Sequence, residues 1–577
     1  MPVLLKPQSL SLDYSKVFPA PNLRLVFDFK ASARLKSRAV ELGYQESGEG
    51  TLIVSTIDPT YSHEQGYSIK TETDKLILTA KNEVGTFYGL SLINWIQNSH
   101  KENFPAIFVK DWPELDTRGY MLDISRCKVP KIEALLELID KLSSLRYNQL
   151  QLYTEHTFAY KGHQQVWQDS SPYDAHDIQT IDTYCKERFI ELVPNQNSFG
   201  HLERWLRYDE YKYLAECPNG YEHPLKGKLD HGGTLKPNQD SLNFVESLYG
   251  ELLPNFSSSQ INIGCDETWE LGLGWSSGII AESSKRKVYL DFLLSLNDLA
   301  KGKGFTIQYW GDIILESPEL VPSLPKDGIG LVWGYECDHP FDEQCNTFNQ
   351  SGIPYLVCPG TSTWNTIGGR YENAKLNVED AIAQAIKHDS KGFLLTDWGD
   401  DGHHHPTSVS LPAIARAAAL SWNSSMASEA ATQQIVAHIS SEPKMAEILS
   451  QLGKLPDLFE LKPHNASPLN LILFGSIEKC QKILQEIPKD EFSKAQQEID
   501  SIRCISAKLS SPLYQQQIDL CLDLLDFACK KGISLIQGDT PRKISLTTIV
   551  SRFRDLWLSQ NRPGGLQESV EKLTANN

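Results

Sequence analysis

Residues 260–267 read QINIGCDE, a short strand-like run that reaches a glycine and ends in two adjacent carboxylates. Alternating apolar and polar positions predict a β-strand here, and Gly264 predicts its end. Successive side chains of a strand point to opposite faces of the sheet. Asp266 and Glu267 can therefore reach one ligand only if the chain turns into a loop at this point, which is the layout expected of a catalytic strand end.

Similar strands recur on both sides of this stretch and alternate with helices. Strand candidates occupy residues 118–125, 148–154, 189–198, 260–267, 306–312, 329–336, 354–362 and 392–400. Amphipathic helices are predicted between them at 133–145, 177–185 and 288–299. The alternation predicts an α/β fold with a parallel sheet covered by helices, and the count of eight strands predicts a closed (β/α)8 TIM barrel. Closure follows from that count alone.

Two smaller units flank the predicted catalytic barrel, which we assign to residues 113–424. Residues 1–112 are predicted to form a small α+β N-terminal domain, and residues 425–577 an α-helical C-terminal domain. The N-terminal elements are strands at 23–29 and 51–56, a hairpin within 67–80 and a helix at 82–97. The C-terminal helices are expected at 471–485, 491–509, 513–531 and 544–558. We expect the C-terminal domain to cover the barrel or to mediate association, for example in a homodimer.

The composition argues against several classes of partner. A formal net charge of −18 at pH 7 argues against nucleic acid and anionic membranes. No apolar run approaches the roughly 18 residues needed to span a bilayer. No secretory signal is visible in the opening MPVLLKPQSLSLDYSK, so we expect a cytoplasmic protein or a mature fragment. Eleven cysteines without a CxxC pair indicate free thiols rather than a disulfide framework.

The predicted strand ends carry polar and aromatic residues, and TIM barrels place their active sites there. These residues are Glu155, His156, Asn197, His201, Asp266, Glu267, Trp310, Asp312, Trp333, Glu336, Trp364, Trp398 and Asp400. Indole rings suit the apolar face of a sugar. An ordinary retaining glycosidase needs two carboxyl groups roughly 5 Å apart across the scissile bond. Asp266 and Glu267 are adjacent in the sequence, so they are suited to different roles. One would protonate the leaving group, and the other would act beside the anomeric carbon.

Four motifs, on the first, fourth and eighth predicted strands and after the third, resemble those of glycoside hydrolase family 20, the retaining exo-β-N-acetylhexosaminidases. They are RGYMLDISR (118–126), FGH (199–201), GCDE (264–267) and WGD (398–400). Residues 66–90 are also similar to the small domain that precedes the barrel in that family. The resemblance implies hydrolysis of terminal, non-reducing β-linked N-acetylhexosamine, GlcNAc or GalNAc, with a carbohydrate partner and no cofactor.

For the carboxylate pair, the resemblance implies a substrate-assisted reaction. The 2-acetamido oxygen of the substrate is the nucleophile in that family and forms an oxazoline intermediate, so one protein carboxyl acts on the leaving group. By position, Glu267 resembles the general acid/base and Asp266 the residue that orients the acetamido group. Repulsion between two carboxyls this close would hold Glu267 protonated near neutral pH.

The resemblance also implies a set of substrate-binding residues. Arg118 matches the arginine that binds sugar hydroxyls at the bottom of the pocket, with an ion pair to Asp123 inside the barrel as the alternative. Asp400 matches the acid that accepts hydrogen bonds from the 4- and 6-hydroxyls. The indoles that wall the acetamido group and the ring are matched by Trp310, Trp333 and Trp398.

The chain departs from the family pattern after the second and third strands. Residues 195–201 read NQNSFGH and lack the two carboxylates of the family stretch Glu-x-Asp-x-Pro-Gly-His. The second-strand motif, which usually ends in aspartates, is replaced by YTEH at 153–156. We therefore expect Glu155 to orient His201, which would in turn tune Glu267.

Two further positions differ or stay open. Gly264-Cys265 stands where the family has two glycines. The tyrosine that donates to the acetamido oxygen stays open between Tyr309, Tyr335 and the region of Trp364. These departures indicate a divergent branch, and they bear on linkage and aglycone preference rather than on the reaction type.

A metal site is not expected, although Asp397, Asp400, Asp401 and the histidines at 403–405 are close in sequence. Side chains of consecutive residues diverge, and no histidine pair has helical i, i+4 spacing. Two alternatives to a cofactor-free hydrolase are a glycan-binding barrel with weak catalysis and a metal-dependent barrel hydrolase. The loss of the third-strand acids would suit the former, and sensitivity to a chelator would reveal the latter.

Overall fold

A computed structural model describes residues 4–19, 23–46, 51–73, 75–100, 103–224, 227–311, 315, 317–538 and 546–575. Its central feature is a parallel sheet of eight strands, which confirms the predicted TIM barrel. The strands are Thr117–Asp123, Gln149–Tyr153, Glu191–Val193, Gln260–Asn262, Thr306–Trp310, Ile329–Trp333, Tyr355–Cys358 and Gly392–Asp397. Each lies within a predicted strand or within one residue of it; residue 312, at the end of the predicted 306–312 strand, lies outside the described residues.

The sheet closes between its third and fourth strands. Asn195, just beyond the third strand, forms a parallel bridge with Asn262. The backbone N–H of Asn262 donates to the carbonyl oxygen of Pro194 at 2.8 Å, and that of Gln196 donates to the carbonyl of Asn262 at 2.9 Å. These backbone bonds complete the barrel.

The barrel interior is polar on the side of strands two to five. The Gln151 side-chain amide donates to Gln308 Oε1 at 2.7 Å, and its own oxygen accepts from Asn262 at 3.0 Å and from Asn195 at 3.1 Å. These four side chains are almost completely buried. Buried amides are tolerated where they satisfy one another, and such a network also restricts side-chain motion. It therefore supports the ends of the strands that carry the candidate site.

Helices cover the outside of the barrel. The main ones are Ile132–Ser144, Ala175–Glu187, Gln239–Leu252, Lys285–Gly302, Phe341–Ser351, Tyr371–Lys387 and Leu411–Trp422. Two predicted helices were too short because their caps were overlooked. Asp174 and Asp177 form a capping box that starts the second helix at Ala175. Ser284 caps the fourth helix by accepting from the N–H of Lys287.

The N-terminal unit is a six-stranded sheet with two helices. Its strands are Ser9–Pro19, Leu23–Phe27, Thr51–Ile57, Tyr67–Thr71, Lys75–Ala80 and Asn103–Asp111, and its helices are Ala33–Glu41 and Glu83–Ser99. The first and last strands were not predicted from the sequence; they pair antiparallel with each other across a register shift between Asp13 and Val17. Their pairing joins residues far apart in the chain, which local periodicity does not reveal.

The N-terminal sheet is attached to the barrel through a buried carboxylate. Asp111 accepts from Arg146 Nη1 at 3.0 Å, from Trp422 Nε1 at 2.9 Å and from the Tyr67 hydroxyl at 2.6 Å. Both Arg146 and Trp422 belong to the barrel, so the two units share one buried polar centre.

The C-terminal region is helical, as predicted, and contacts the barrel. Its helices are Glu429–Ser440, Met445–Lys454, Pro468–Phe474, Ile477–Ile483, Lys489–Ser506, Pro512–Ile536, Leu546–Gln560 and Leu566–Ala575. The first two residues of the predicted 544–558 helix lie outside the described residues. The last helix reaches the rim of the barrel, where Glu568 accepts two hydrogen bonds from Arg204 and Lys572 donates to the carbonyl of Asp401. Among the described helices, none combines the length and hydropathy needed to cross a membrane.

Candidate active site

The carboxylate pair lies in a sharp turn just past the fourth barrel strand. Gly264, Cys265 and Glu267 all have positive φ, at 71°, 76° and 48°. Non-glycine residues rarely adopt this conformation, and they do so mainly where the surrounding structure holds them in place. A Cβ on Gly264 would lie 1.9 Å from Asn197 Oδ1, so only glycine fits that position. The strand thus turns into a loop before Asp266, as the argument from side-chain direction required.

His201 contacts both carboxylates of the pair. Its Nε2 lies 3.2 Å from Asp266 Oδ2 and 3.6 Å from Glu267 Oε2. A Cβ on Gly200 would lie 2.4 Å from the Asp266 carbonyl, so this glycine permits the close approach of the two loops. Burial opposes the charge of His201, but the Asp266 carboxylate outweighs it and raises the pKa of His201 to about 10. A charged imidazolium therefore lies between Asp266 and Glu267 at neutral pH.

Glu155 does not orient His201, contrary to the expectation from the sequence. Its carboxylate lies 2.9 Å from Arg126 Nη1 and accepts from the Tyr153 hydroxyl at 3.0 Å. The hydrogen bond of His201 goes instead to Asp266. Burial raises the pKa of Glu155 to about 7 although Arg126 opposes the shift. Glu155 therefore belongs to a second charged group at the strand ends, centred on Arg126.

The structure places Arg118 away from the carboxylate pair, which differs from the position that the resemblance implied for it. It is completely buried at the amino end of the first barrel strand, opposite the end that carries Asp266. Its guanidinium donates to the carbonyls of Arg146 and Leu115 and to Gln65 Oε1, at 2.7 to 2.9 Å. The alternative ion pair between Arg118 and Asp123 is also absent from these contacts.

Arg126, three residues beyond the first strand, is the arginine at the candidate site. Besides Glu155, it lies 3.4 Å from Asp123 Oδ2, and its guanidinium lies 4.8 Å from the centre of the Tyr153 ring and 5.8 Å from that of Trp398. The charge of Asp400 also acts on Arg126. Arg126 belongs to the first-strand motif but was not predicted as a site residue; its position after the strand end was the signal that could have identified it.

The predicted indoles form an aromatic cluster at the same end of the barrel. Trp398 lies 4.6 Å from Tyr153 and 5.8 Å from Trp310 between ring centres, and Trp333 stacks on Tyr335 at 5.2 Å. Within the described part of the chain, the indole Nε1 atoms of Trp310 and Trp333 have no hydrogen-bond partner. These buried donors are available to a ligand.

Of the aromatic positions left open by the sequence, Tyr335 lies in this cluster and Trp364 lies behind it. Trp364 is fully buried and packs edge-on against Tyr335 at 5.1 Å. Tyr309 alternates with Trp310 along its strand and joins the outer hydrophobic core. The sheet geometry therefore favours Tyr335 over Tyr309 as the tyrosine at the site. Asp400 has a positive φ of 45° and lies at the solvent-exposed mouth.

Asp397, His403 and His405 come together in the fold, although they were not expected to form a metal site. Their potential ligand atoms lie within 4.8 Å of one another and all three residues are buried. Both Asp397 oxygens already accept from hydroxyls, Oδ1 from Thr361 and Thr363 and Oδ2 from Tyr120 and Ser410. The hydroxyl donors saturate the only carboxylate of this group, so the cluster fits a polar structural contact better than a cation.

The two carboxylates of the pair, Asp266 and Glu267, differ in their exposure to solvent. The Asp266 side chain is 11% exposed and that of Glu267 is 36% exposed. Within the described residues, Asp266 Oδ1 has no hydrogen-bond partner. The site can therefore offer an inner carboxylate to a buried polar group of a ligand and an outer carboxyl to a group that faces solvent, beside an aromatic wall.

Sequence comparisons connect this barrel with known proteins. Residues 116–370 match the sequence model of the glycosyl hydrolase family 20 catalytic domain. The chain is 26% identical over 219 residues to beta-hexosaminidase subunit A1 of Dictyostelium discoideum, covering 35% of this chain and 39% of that protein. It is 23% identical over 274 residues to the beta-hexosaminidase of Porphyromonas gingivalis, covering 43% of this chain and 34% of that protein. The matches thus span less than half the length of either relative.

Similar solved structures share the fold. A chitobiase from Flavobacterium johnsoniae superposes with a TM-score of 0.62 at 16% identity, covering 98% of both chains. An exo beta-N-acetylglucosaminidase from Vibrio harveyi superposes with a TM-score of 0.61 at 14% identity, covering 78% of both chains. The family model matches most of the barrel, and the four motif segments lie on the first strand or beyond the ends of the third, fourth and eighth strands. The fold and the comparisons therefore support a glycosyl hydrolase family 20 hexosaminidase.

Proposed function

We propose that this protein is a retaining β-N-acetylhexosaminidase that releases terminal, non-reducing β-linked N-acetylhexosamine through an oxazoline intermediate. The observation that carries the proposal is that Asp266 and Glu267, neighbours in sequence, both contact one nitrogen of His201. Family membership and the names of the relatives support the substrate class.

The exposure of the two carboxylates supports distinct roles. Glu267 is accessible from solvent, where a leaving group departs, so its carboxyl is suited to protonate the glycosidic oxygen and then to deprotonate the attacking water. Asp266 is buried with one unbonded oxygen, which is suited to accept from an acetamido N–H. As the acetamido oxygen attacks the anomeric carbon, that N–H acquires positive charge, and the Asp266 carboxylate stabilises it.

Two further buried carboxylates are poorly suited to be the nucleophile. Asp123 and Glu155 both form ion pairs with Arg126, so their negative charge is directed to the guanidinium rather than to a reacting carbon. An attack by the substrate's own acetamido group needs no such residue. Arg126 and Asp400 are then suited to bind the sugar hydroxyls, and Trp310, Trp333 and Trp398 to enclose the ring and the acetamido group.

Paired substrates test this proposal. A chromogenic N-acetyl-β-glucosaminide should be hydrolysed while the matching β-glucoside, which lacks the acetamido group, is turned over at a negligible rate. A thiazoline mimic of the bicyclic intermediate should bind much more tightly than the product sugar. Comparable rates on both glycosides, or trapping of a glycosyl ester on any Asp or Glu by a 2-fluoro sugar, would contradict the mechanism. Binding of the thiazoline without turnover would favour the weakly catalytic glycan-binding barrel.

A further inference from the structure

Two large aromatic side chains stand exposed in the 268–276 loop, which directly follows Glu267. Trp269 is 40% exposed and Trp275 is 44% exposed. The backbone N–H of Trp269 donates to the carbonyl oxygen of Glu267 at 2.8 Å, so Trp269 begins the turn that leaves the proposed acid. Exposed tryptophans are uncommon, and when they cluster they often mark a binding surface.

Two buried carboxylates hold this loop in place. Glu216 accepts from the N–H of Gly274 at 3.2 Å and from the N–H and hydroxyl of Ser276 at 3.0 and 2.6 Å. Glu270 accepts from the N–H of Thr234 at 3.0 Å. Both carboxylates are essentially inaccessible to solvent, and burying such groups is costly unless they are well bonded. One oxygen of each carboxylate is bonded in this way, and the other has no partner among the described residues. These hydrogen bonds restrain the base of the loop, and groups held in place before a ligand arrives lose less entropy on binding.

A hairpin adds further rings on the same side of Glu267. Its strands are Tyr221–His223 and Gly227–Leu229. The His223 ring lies 5.8 Å from the Tyr221 ring and 6.2 Å from the Trp269 ring. Burial, and after it the nearby Glu270 and Glu203, raises the pKa of Tyr221. Tyr221, His223 and Trp269 thus form an arc of neighbouring rings, and Trp269 lies two residues after Glu267 in the chain.

The position of this arc indicates which part of a substrate its rings would face. A general acid protonates the glycosidic oxygen, so the groups next to its solvent side face the aglycone, whereas Trp310, Trp333 and Trp398 lie at the closed end. We infer that Trp269, flanked by His223, is an aglycone platform that stacks on the pyranose ring of a sugar leaving group. This inference rests on the proposed function and deepens it: the preferred substrate is an oligosaccharide rather than a glycoside with a small alkyl aglycone.

The test compares two substrates that differ only in the ring they offer to Trp269. Trp269→Ala should lower kcat/KM for di-N-acetylchitobiose about 3- to 10-fold, which corresponds to the loss of one aromatic stacking contact. Its kcat/KM for methyl N-acetyl-β-glucosaminide, whose aglycone has no ring, should stay unchanged. Trp269→Phe should retain most of the disaccharide activity. Leu273→Ala, an exposed apolar residue of the same loop, is the matched control and should leave both substrates unaffected.

Each outcome separates the platform from its alternatives. An equal loss on both substrates, or no loss on the disaccharide, overturns the platform while leaving the proposed function intact. A variant that loses activity equally on both substrates and also changes from dimer to monomer in sedimentation would assign the loop to a subunit interface instead. If the unmodified protein hydrolyses neither substrate, the proposed function fails, and the inference fails with it.

Discussion

His201 Nε2 lies 3.2 Å from Asp266 Oδ2, and the same nitrogen lies 3.6 Å from Glu267 Oε2. The sequence predicted only that the two adjacent carboxyls repel each other. In the structure, His201 lies within reach of both of them. A positive imidazolium offsets the negative charge between the two side chains. The protonation state of His201 therefore affects the electrostatic environment of both carboxylates.

The first prediction concerns stability in alkaline solution. The pKa of His201 is raised to about 10, above the roughly 6.5 of an unfolded histidine, so its interaction with Asp266 stabilises the fold fully below pH 6.5 and is lost as pH rises through about 10. The Tm difference between the unmodified protein and His201→Gln should therefore shrink between pH 7 and pH 10. Thermal unfolding followed at several pH values measures this, and a difference that stays constant would contradict the charged pair.

Glu267→Gln tests the proposed acid through the leaving group. Glycosides with poor leaving groups need protonation in the transition state, so kcat/KM on them should fall between about 100- and 10,000-fold. Activated aryl glycosides should lose much less, because their leaving groups depart without a proton. Steady-state rates on a series of aryl and alkyl glycosides provide the comparison. Equal losses across the series would count against Glu267 as the acid.

Asp266→Asn should act mainly on kcat. A carboxylate that serves developing positive charge contributes chiefly in the transition state, and its loss should lower kcat about 100-fold or more while KM changes little. The variant keeps the size of the side chain and its ability to accept from His201. A raised KM at unchanged kcat would instead make Asp266 an ordinary substrate-binding residue.

Arg126 and Arg118 offer a matched pair of substitutions on one strand segment. Arg126→Lys removes the planar fork that holds Glu155 and Asp123, and kcat/KM should fall about 10- to 100-fold. Arg118→Lys breaks bonds to backbone carbonyls at the opposite end of the barrel, so it should lower Tm by several degrees and leave kcat/KM nearly unchanged. The reverse pattern would restore Arg118 to the active site.

The barrel itself could be predicted from the sequence. Strand and helix periodicities depend on local side-chain patterning, and the eight strand candidates match the strands of the structure. The elements that were missed or shortened have different causes. The first strand, Ser9–Pro19, pairs with Asn103–Asp111 far along the chain, and the start of the Ala175–Glu187 helix depends on a capping box.

The sequence predicted which types of residue lie at the candidate site and which strand ends carry them. Asp266 and Glu267 are adjacent in the chain, so no folding information was needed to bring them together. The partners of His201 and Glu155 were not predictable in this way. Both residues lie at strand ends, but which carboxylate meets which cation depends on the direction of side chains in turns with positive φ, such as His201 itself.

The sequence alone thus determined the fold class and the strand end that carries the adjacent carboxylates, because these are properties of local pattern and chain neighbourhood. Only the tertiary structure decided that Arg126 rather than Arg118 reaches the site, that His201 pairs with Asp266, and that Glu155 pairs with Arg126. The physical reason is that charge pairing is a short-range, three-dimensional effect. It depends on distances of about 3 Å between residues of different strands, and a linear pattern of residue types does not contain those distances.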